Sequence, residues 1–271
     1  MTLPAAPISP GAPLVFITGA SSGIGQALAN AYARRGWRLA LVARRLDAMQ
    51  RWSQSEGLGP ERCALYAADV QDVDAIVAAG RRCLIEQGLP QVVIANAGIS
   101  VGIDTAERAD LEVLRELFAT NNIGLAATFH PFIAPMRVAG SGRLVGIASV
   151  AAIRGLPGHG GYCASKAGVV AYCESLRGEL RNDGIRVVTL LPGFVDTPLT
   201  RGNPYPMPFL TSAEAFAERA VMAIERGASH RVIPWQMAWV ARLLRLLPNA
   251  LLDRLLAGRG RKPRRSRPSN N

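Results

Sequence analysis

A chain of 271 residues, 49% of them hydrophobic, is long enough to build one α/β domain of ordinary size around a large core. The formal net charge is +11, but residues 254–271 carry +7 of it, so the basicity is concentrated in a tail and not spread over a folded surface; with no aromatic stacking platform beside it, nucleic acid is disfavoured as a partner. The four cysteines, Cys63, Cys83, Cys163 and Cys173, show no metal-ligand spacing; they read as reduced packing or surface residues, and no metal site is expected.

Residues 1–13 contain four prolines and no charged side chain. They lack the basic region and long apolar core of a signal peptide and read as a disordered lead-in. The apolar run 14–17 then predicts a parallel strand buried on both faces. Thr18-Gly19-Ala20-Ser21-Ser22-Gly23-Ile24-Gly25 follows as a glycine-rich turn, and residues 26–35 have helical apolar spacing ending at Gly36. Strand, glycine turn and helix in this order suit a pyrophosphate. Glycine lets the backbone come close, and free N–H groups point outward at the helix N-terminus. The spacing is Gly-x-x-x-Gly-x-Gly, not the commoner Gly-x-Gly-x-x-Gly.

Further strands are predicted at 38–42, 63–67, 92–95, 143–147, 186–191 and 230–233, with helical stretches between most of them. The alternation implies a single doubly wound parallel sheet of the Rossmann type with helices on both faces. Ser149 follows the fifth run. Thirteen residues later comes Tyr162-Cys163-Ala164-Ser165-Lys166, whose Tyr162 and Lys166 are four apart and share a helix face. A cation beside a phenol favours phenolate and is expected to lower the tyrosine pKa from its usual ~10 towards neutrality. Such a group exchanges protons near pH 7, as alcohol–carbonyl interconversion requires. Of 31 Lys+Arg only Lys166 and Lys262 are lysines. Arginine is bulkier and its charge is fixed, so it is a poor substitute in a proton relay.

These segments, in this order, together with Asp69-Val70, Asn96-Ala97-Gly98, Asn121 and Pro192-Gly193, resemble the short-chain dehydrogenases/reductases from about residue 14 to about residue 232. The resemblance implies that Tyr162 is the general acid/base and that Ser149 orients the substrate oxygen. It implies that Lys166 binds the nicotinamide ribose and lowers the Tyr162 pKa, and that Asn121 completes the relay. Gly124, three residues on, selects Asn121 over Asn122. The cofactor contacts implied are Gly19, Ser21, Ser22, Gly23, Ile24 and Gly25 at the turn, and Asp69 and Val70 at the adenine. They continue with Asn96, Ala97 and Gly98 at the ribose, Tyr162 and Lys166, and Pro192, Gly193, Val195 and Thr197 beside the carboxamide. At the end of the second strand Ala43-Arg44-Arg45 has no acid to accept from ribose hydroxyls, while Arg44 and Arg45 suit a 2′-phosphate. NADP(H) is therefore expected over NAD(H).

Prolines 204, 206 and 208 exclude a regular helix over the segment that follows Thr197. In the family this is the substrate lid. Its Leu199, Tyr205, Met207, Phe209 and Leu210 suggest an apolar ketone/alcohol substrate. His159 faces either the substrate mouth or solvent. Thr211-Ser212-Ala213-Glu214 opens the next helix as a capping box. Beyond the family pattern, 234–257 reads as an amphipathic extension and 258–271 as a disordered basic tail. Arg242, Arg245 and Pro248 break the apolar stretch too often for a bilayer span. An interfacial helix on anionic lipid and an arm packed on a second subunit both fit. The family commonly forms homo-oligomers, dimers or tetramers. The expected location is cytoplasmic, with membrane association left open. A non-catalytic NADP(H)-binding sensor on the same fold is the alternative function.

Overall fold

Successive residues of a strand point to opposite faces of a sheet, and here both faces are apolar. Leu14 and Phe16 enter one core, Val15 and Ile17 the other, and all four are fully buried. The computed structural model describes residues 11–258 and 260–265. Its strands are β1 (Leu14–Thr18), β2 (Arg38–Ala43), β3 (Cys63–Ala67), β4 (Val92–Ala95), β5 (Gly142–Ile147), β6 (Ile185–Pro192), β7 (Val195–Asp196), β8 (Thr211–Ser212) and β9 (His230–Ile233). Seven of them form one parallel sheet in the order β3-β2-β1-β4-β5-β6-β9, and β7 pairs with β8 separately.

The helices are α1 (Gly23–Arg34), α2 (Leu46–Ser55), α3 (Val73–Glu86), α4 (Asp110–Phe118), α5 (Gly124–Ala139), α6 (Gly160–Glu179), α7 (Ala213–Glu225), α8 (Gln236–Leu246) and α9 (Asn249–Leu256). One core lies between the sheet and α1, α2 and α7. The other lies between the sheet and α3, α5 and α6. The strand order reverses between β1 and β4, so the crevice at their carboxyl ends is where a doubly wound sheet binds ligands. Among the described residues no helix is long and apolar enough to cross a membrane, and no cluster of residues could hold a metal ion.

Three boundary expectations change. Residues 1–10 of the lead-in lie outside the described residues, but Ala12 and Pro13 are tied to the start of β2: the Arg38 N–H donates to the Pro13 carbonyl at 2.8 Å and its Nε to the Ala12 carbonyl at 3.2 Å. The extension 234–257 is built into the domain. Met237 sits under Gly193, where an added β-carbon would lie 2.9 Å from its Cγ. Arg245 donates to the Ile153 carbonyl at 3.0 Å, and Arg154 to the Leu247 carbonyl at 3.1 Å. Residues 260–265, expected in a disordered tail, are docked. Arg264 pairs with Asp110 at 2.7 Å and Arg265 with Glu116 at 2.7 Å. Charge complementarity across distant segments holds them, which local composition does not reveal. Residues 259 and 266–271 lie outside the described residues. All four cysteines are free and buried, so the surface alternative for them is set aside.

Candidate active site

Three loops at the carboxyl ends of strands build the site. The first follows β1. Asn96, at the end of β4, ties it down: its Nδ2 donates to the Thr18 carbonyl at 2.9 Å and the Gly19 carbonyl at 3.3 Å. An added β-carbon at Gly19 would lie 2.8 Å from the Ala97 Cα, and one at Gly25 would run into the Gly19 carbonyl. Gly19 and Gly23 also hold positive φ, 68° and 57°. These glycines are required by close backbone approach, and the amino end of α1 opens onto the space they leave.

The second loop follows β2. Arg45 Nη2 donates to Ser21 Oγ at 3.2 Å and to Ser22 Oγ at 3.4 Å, while Arg44 Nη1 lies 3.6 Å from Asp69 Oδ2. Two guanidinium groups and two hydroxyls thus gather at one end of the crevice, a donor set suited to a phosphate.

The third group comes from β5 and α6. Gly146 lets the helix sit close to the strand, since a β-carbon there would lie 2.6 Å from Cys173 Sγ. Ser149 caps the short turn Val150–Ala152, its Oγ accepting from the Ala151 N–H at 3.1 Å. Tyr162 and Lys166 lie on one face of α6, with Lys166 Nζ 6.0 Å from the tyrosine ring centroid and donating to the Ile147 carbonyl at 2.8 Å. The expected fall of the tyrosine pKa towards neutrality is reversed. Burial pushes Tyr162 up to about 12, with the Ser149 hydroxyl pulling the other way. Burial also brings Lys166 down to about 8, so it keeps its charge at neutral pH and loses it above.

Gly19, Ser21, Ser22, Gly23, Ile24, Arg44, Arg45, Asp69, Val70, Asn96, Ala97, Gly98, Ser149, Tyr162, Lys166, Pro192, Gly193, Val195 and Thr197 all line one cleft of about 460 Å³. Gly25 and Asn121 stand one layer behind it. Asn121 lies in a π-helical turn, Ala119–Ile123, and is 1% exposed. Its Oδ1 accepts from the Ile99 N–H at 2.9 Å, and its Nδ2 donates to the Ile99 carbonyl at 3.1 Å and Ser165 Oγ at 2.9 Å. So it shapes the cleft through Ile99 and α6. Asn122 instead donates to the Ser165 carbonyl at 2.9 Å.

Gln71, Ile99 and Thr120 also line the cleft and were missed from sequence, as were Val42, Ala43, Ala68, Ile147 and Ala148. Several of these sit at or next to strand carboxyl ends, the general ligand-side position of such sheets, and that signal was available. The Thr120 hydroxyl is buried without a hydrogen-bond partner among the described residues. The close-packed glycines at the turn and the Arg44/Arg45 and Ser21/Ser22 donors at one end of the cleft fit an extended, phosphate-bearing ligand.

The lid is irregular, as its prolines require, and the β7–β8 pair closes its neck. Pro198, Leu199 and Thr200 reach the cleft. His159 is buried, not solvent-facing: its Nε2 hydrogen-bonds the Tyr205 hydroxyl of the lid at 3.0 Å. Ser212 caps α7, accepting from the Ala215 N–H at 3.1 Å.

The family described as short chain dehydrogenase matches residues 13–205. An uncharacterised oxidoreductase of Myxococcus xanthus is 40% identical over 241 residues, covering 88% of this chain and 94% of its own length. The alcohol dehydrogenase of the archaeon Thermococcus sibiricus, solved with 5-hydroxy-NADP, superposes with a TM-score of 0.71 at 27% identity, over 82% of this chain and 95% of its own. The 3-ketoacyl-(acyl-carrier-protein) reductase of Brucella melitensis, solved with NADH, does so with a TM-score of 0.73 at 26% identity, over 82% and 96%. With a parallel sheet of this order, its glycine cradle and a family match over most of its length, the chain belongs to the short-chain dehydrogenase/reductase family and is an oxidoreductase.

Proposed function

We propose that this chain transfers a hydride between NADP(H) and an apolar secondary alcohol/ketone pair, with Tyr162 as general acid/base. The observation that carries the reading is the convergence of Ser149, Tyr162 and Lys166 on the same cleft as the glycine loop and Arg44/Arg45. When bound, the nicotinamide supplies or takes the hydride. The turn from Gly19 to Gly25 and the amino end of α1 would hold the pyrophosphate, and Arg44 and Arg45 with Ser21 and Ser22 the 2′-phosphate. Asp69 and Val70 would meet the adenine, Asn96, Ala97 and Gly98 the ribose, and Pro192, Gly193, Val195 and Thr197 the carboxamide end.

In reduction, the Ser149 hydroxyl donates to the substrate oxygen and fixes its position. Tyr162 gives its phenolic proton to that oxygen as the carbonyl becomes an alcohol, and takes it back in the reverse direction. Lys166 holds ribose hydroxyls and supplies positive charge beside the phenol, and Asn121 keeps α6 and Ile99 in register. Ile99 and Leu199 in the wall support an apolar substrate. A panel of ketones and alcohols with NADPH, NADH and their oxidised forms tests the reading. Turnover favouring NADPH supports it; NADPH binding with no turnover of any of them favours the non-catalytic sensor.

A homo-oligomer is part of the same proposal. On α8, Trp239 is 62% exposed and Leu243 63%, an apolar face with Arg242 over the Trp239 ring at 5.2 Å. Lipid contact is the rival occupant. Lys262, Arg264 and Arg265 are engaged within the chain, which leaves the tail less charge for anionic lipid and favours a second copy.

A further inference from the structure

The second of the two lysines in this chain lies on the lid. Lys262 Nζ donates to Asn203 Oδ1 at 2.6 Å and to the Leu199 carbonyl at 3.1 Å. Leu199 lines the cleft that holds Tyr162 and Ser149. A compact ammonium with three rotatable donors suits two converging oxygens in a way a planar guanidinium does not, in a chain that otherwise uses arginine almost throughout.

The segment that presents Lys262 is itself fastened. The Gly102 N–H donates to the Pro263 carbonyl at 3.0 Å, and Gly102 forms a parallel bridge with Arg264. A methyl group at Gly102 would run into the Lys262 carbonyl, and one at Gly158 would lie 2.9 Å from the Arg261 Cβ. Arg264 grips the Asp110 carboxylate through both Nε, at 2.7 Å, and Nη2, at 3.3 Å, with Glu107 3.6 Å away. Residues 260–265 therefore bridge the loop after β4, the loop before α6 and the lid. The three segments are far apart in sequence, and the lid brings Pro198, Leu199 and Thr200 to the cleft.

We propose that residues 260–265 form a strap that holds the substrate lid closed, with Lys262 as the positioning residue that fixes Leu199 over the cleft. The strap's effect on substrate rests on the oxidoreductase reading above; its effect on the lid does not. Lys262→Met removes the donors to the lid, and Arg264→Ala loosens the strap at its other end without touching the lid.

Hydrogen–deuterium exchange over 198–210 in the full chain gives a readout independent of turnover. Both variants should exchange faster there and unchanged at the glycine turn. With any ketone the parent enzyme reduces, KM should rise about ten-fold, on the scale of one charge-assisted hydrogen bond, with the NADPH dissociation constant unaltered. Unchanged lid exchange in both variants overturns the proposal, as does faster exchange with an unaltered KM. If the parent reduces no ketone, the function reading fails by itself, and the exchange result still decides whether the strap holds the lid.

Discussion

Cofactor choice should turn on the two arginines after β2, and the structure lets the effect of each be sized. Arg45 converges with Ser21 and Ser22 at 3.2 and 3.4 Å, so its guanidinium is steered towards the glycine turn. Both arginines are exposed, and Arg44, its side chain 67% exposed, also shares its charge with Asp69 at 3.6 Å. A hydrogen bond to a charged group contributes roughly 1.5–3 kcal/mol. Solvent screening holds both below the top of that range, and the Asp69 pairing puts Arg44 at the low end, ~1.5 kcal/mol, or about ten-fold in NADPH affinity. Arg45→Ala should lose more, ~2 kcal/mol or about thirty-fold. NADH lacks the 2′-phosphate, so its affinity should change less than about two-fold in either variant. Fluorescence titration with both cofactors measures this directly. Repeating the titration at high ionic strength should narrow the gap between parent and variants, because exposed charges are screened. Equal loss for NADPH and NADH would mean that the arginines support the loop and do not read the phosphate.

Since burial raises the Tyr162 pKa to about 12, the phenol stays protonated through neutral pH. Ketone reduction should hold its rate there, and alcohol oxidation, which needs phenolate, should rise from about pH 6 to about pH 8, below the range in which Lys166 loses its charge; an oxidation rate that falls over that interval contradicts the assignment. Gly25→Ala places a methyl group against the Gly19 carbonyl and Asn96, so the cofactor turn must shift, costing roughly 1–3 kcal/mol of stability; an unchanged denaturation midpoint would refute the close packing. Replacing exposed Trp239 and Leu243 together by Asn should lower the mass seen by light scattering if a second copy covers α8; an unchanged mass with lost sedimentation on anionic vesicles would assign the face to lipid instead.

The parts of this molecule that were legible from sequence are the ones specified locally. The apolar runs give the sheet strands to within a residue or so at each end, because the central parallel strands are buried on both faces and read as continuous apolar runs. The shared face of Tyr162 and Lys166 was legible because a helix turn fixes the geometry of a four-residue spacing, and Ser149 because it follows the apolar run that becomes β5. What failed depends on contacts between distant segments. The direction of the Tyr162 shift is set by desolvation in the folded chain, which the four-residue spacing to Lys166 does not carry. The docking of Arg264 on Asp110 joins residues 154 apart in sequence, so the basic tail looked unpartnered when its acids were simply elsewhere in the chain. His159 was ambiguous because its partner, Tyr205, lies on a lid whose path no periodicity predicts.

The assignment of Tyr162 as the proton donor is tested most directly by turnover of Tyr162→Phe, with NADPH binding measured on the same preparation. The ring packing on α6 is retained and only the hydroxyl is removed. Ketone reduction should fall by about 10²-fold or more, the scale of general acid catalysis, with the NADPH dissociation constant close to the parent value. Parent-like turnover in that variant would contradict it.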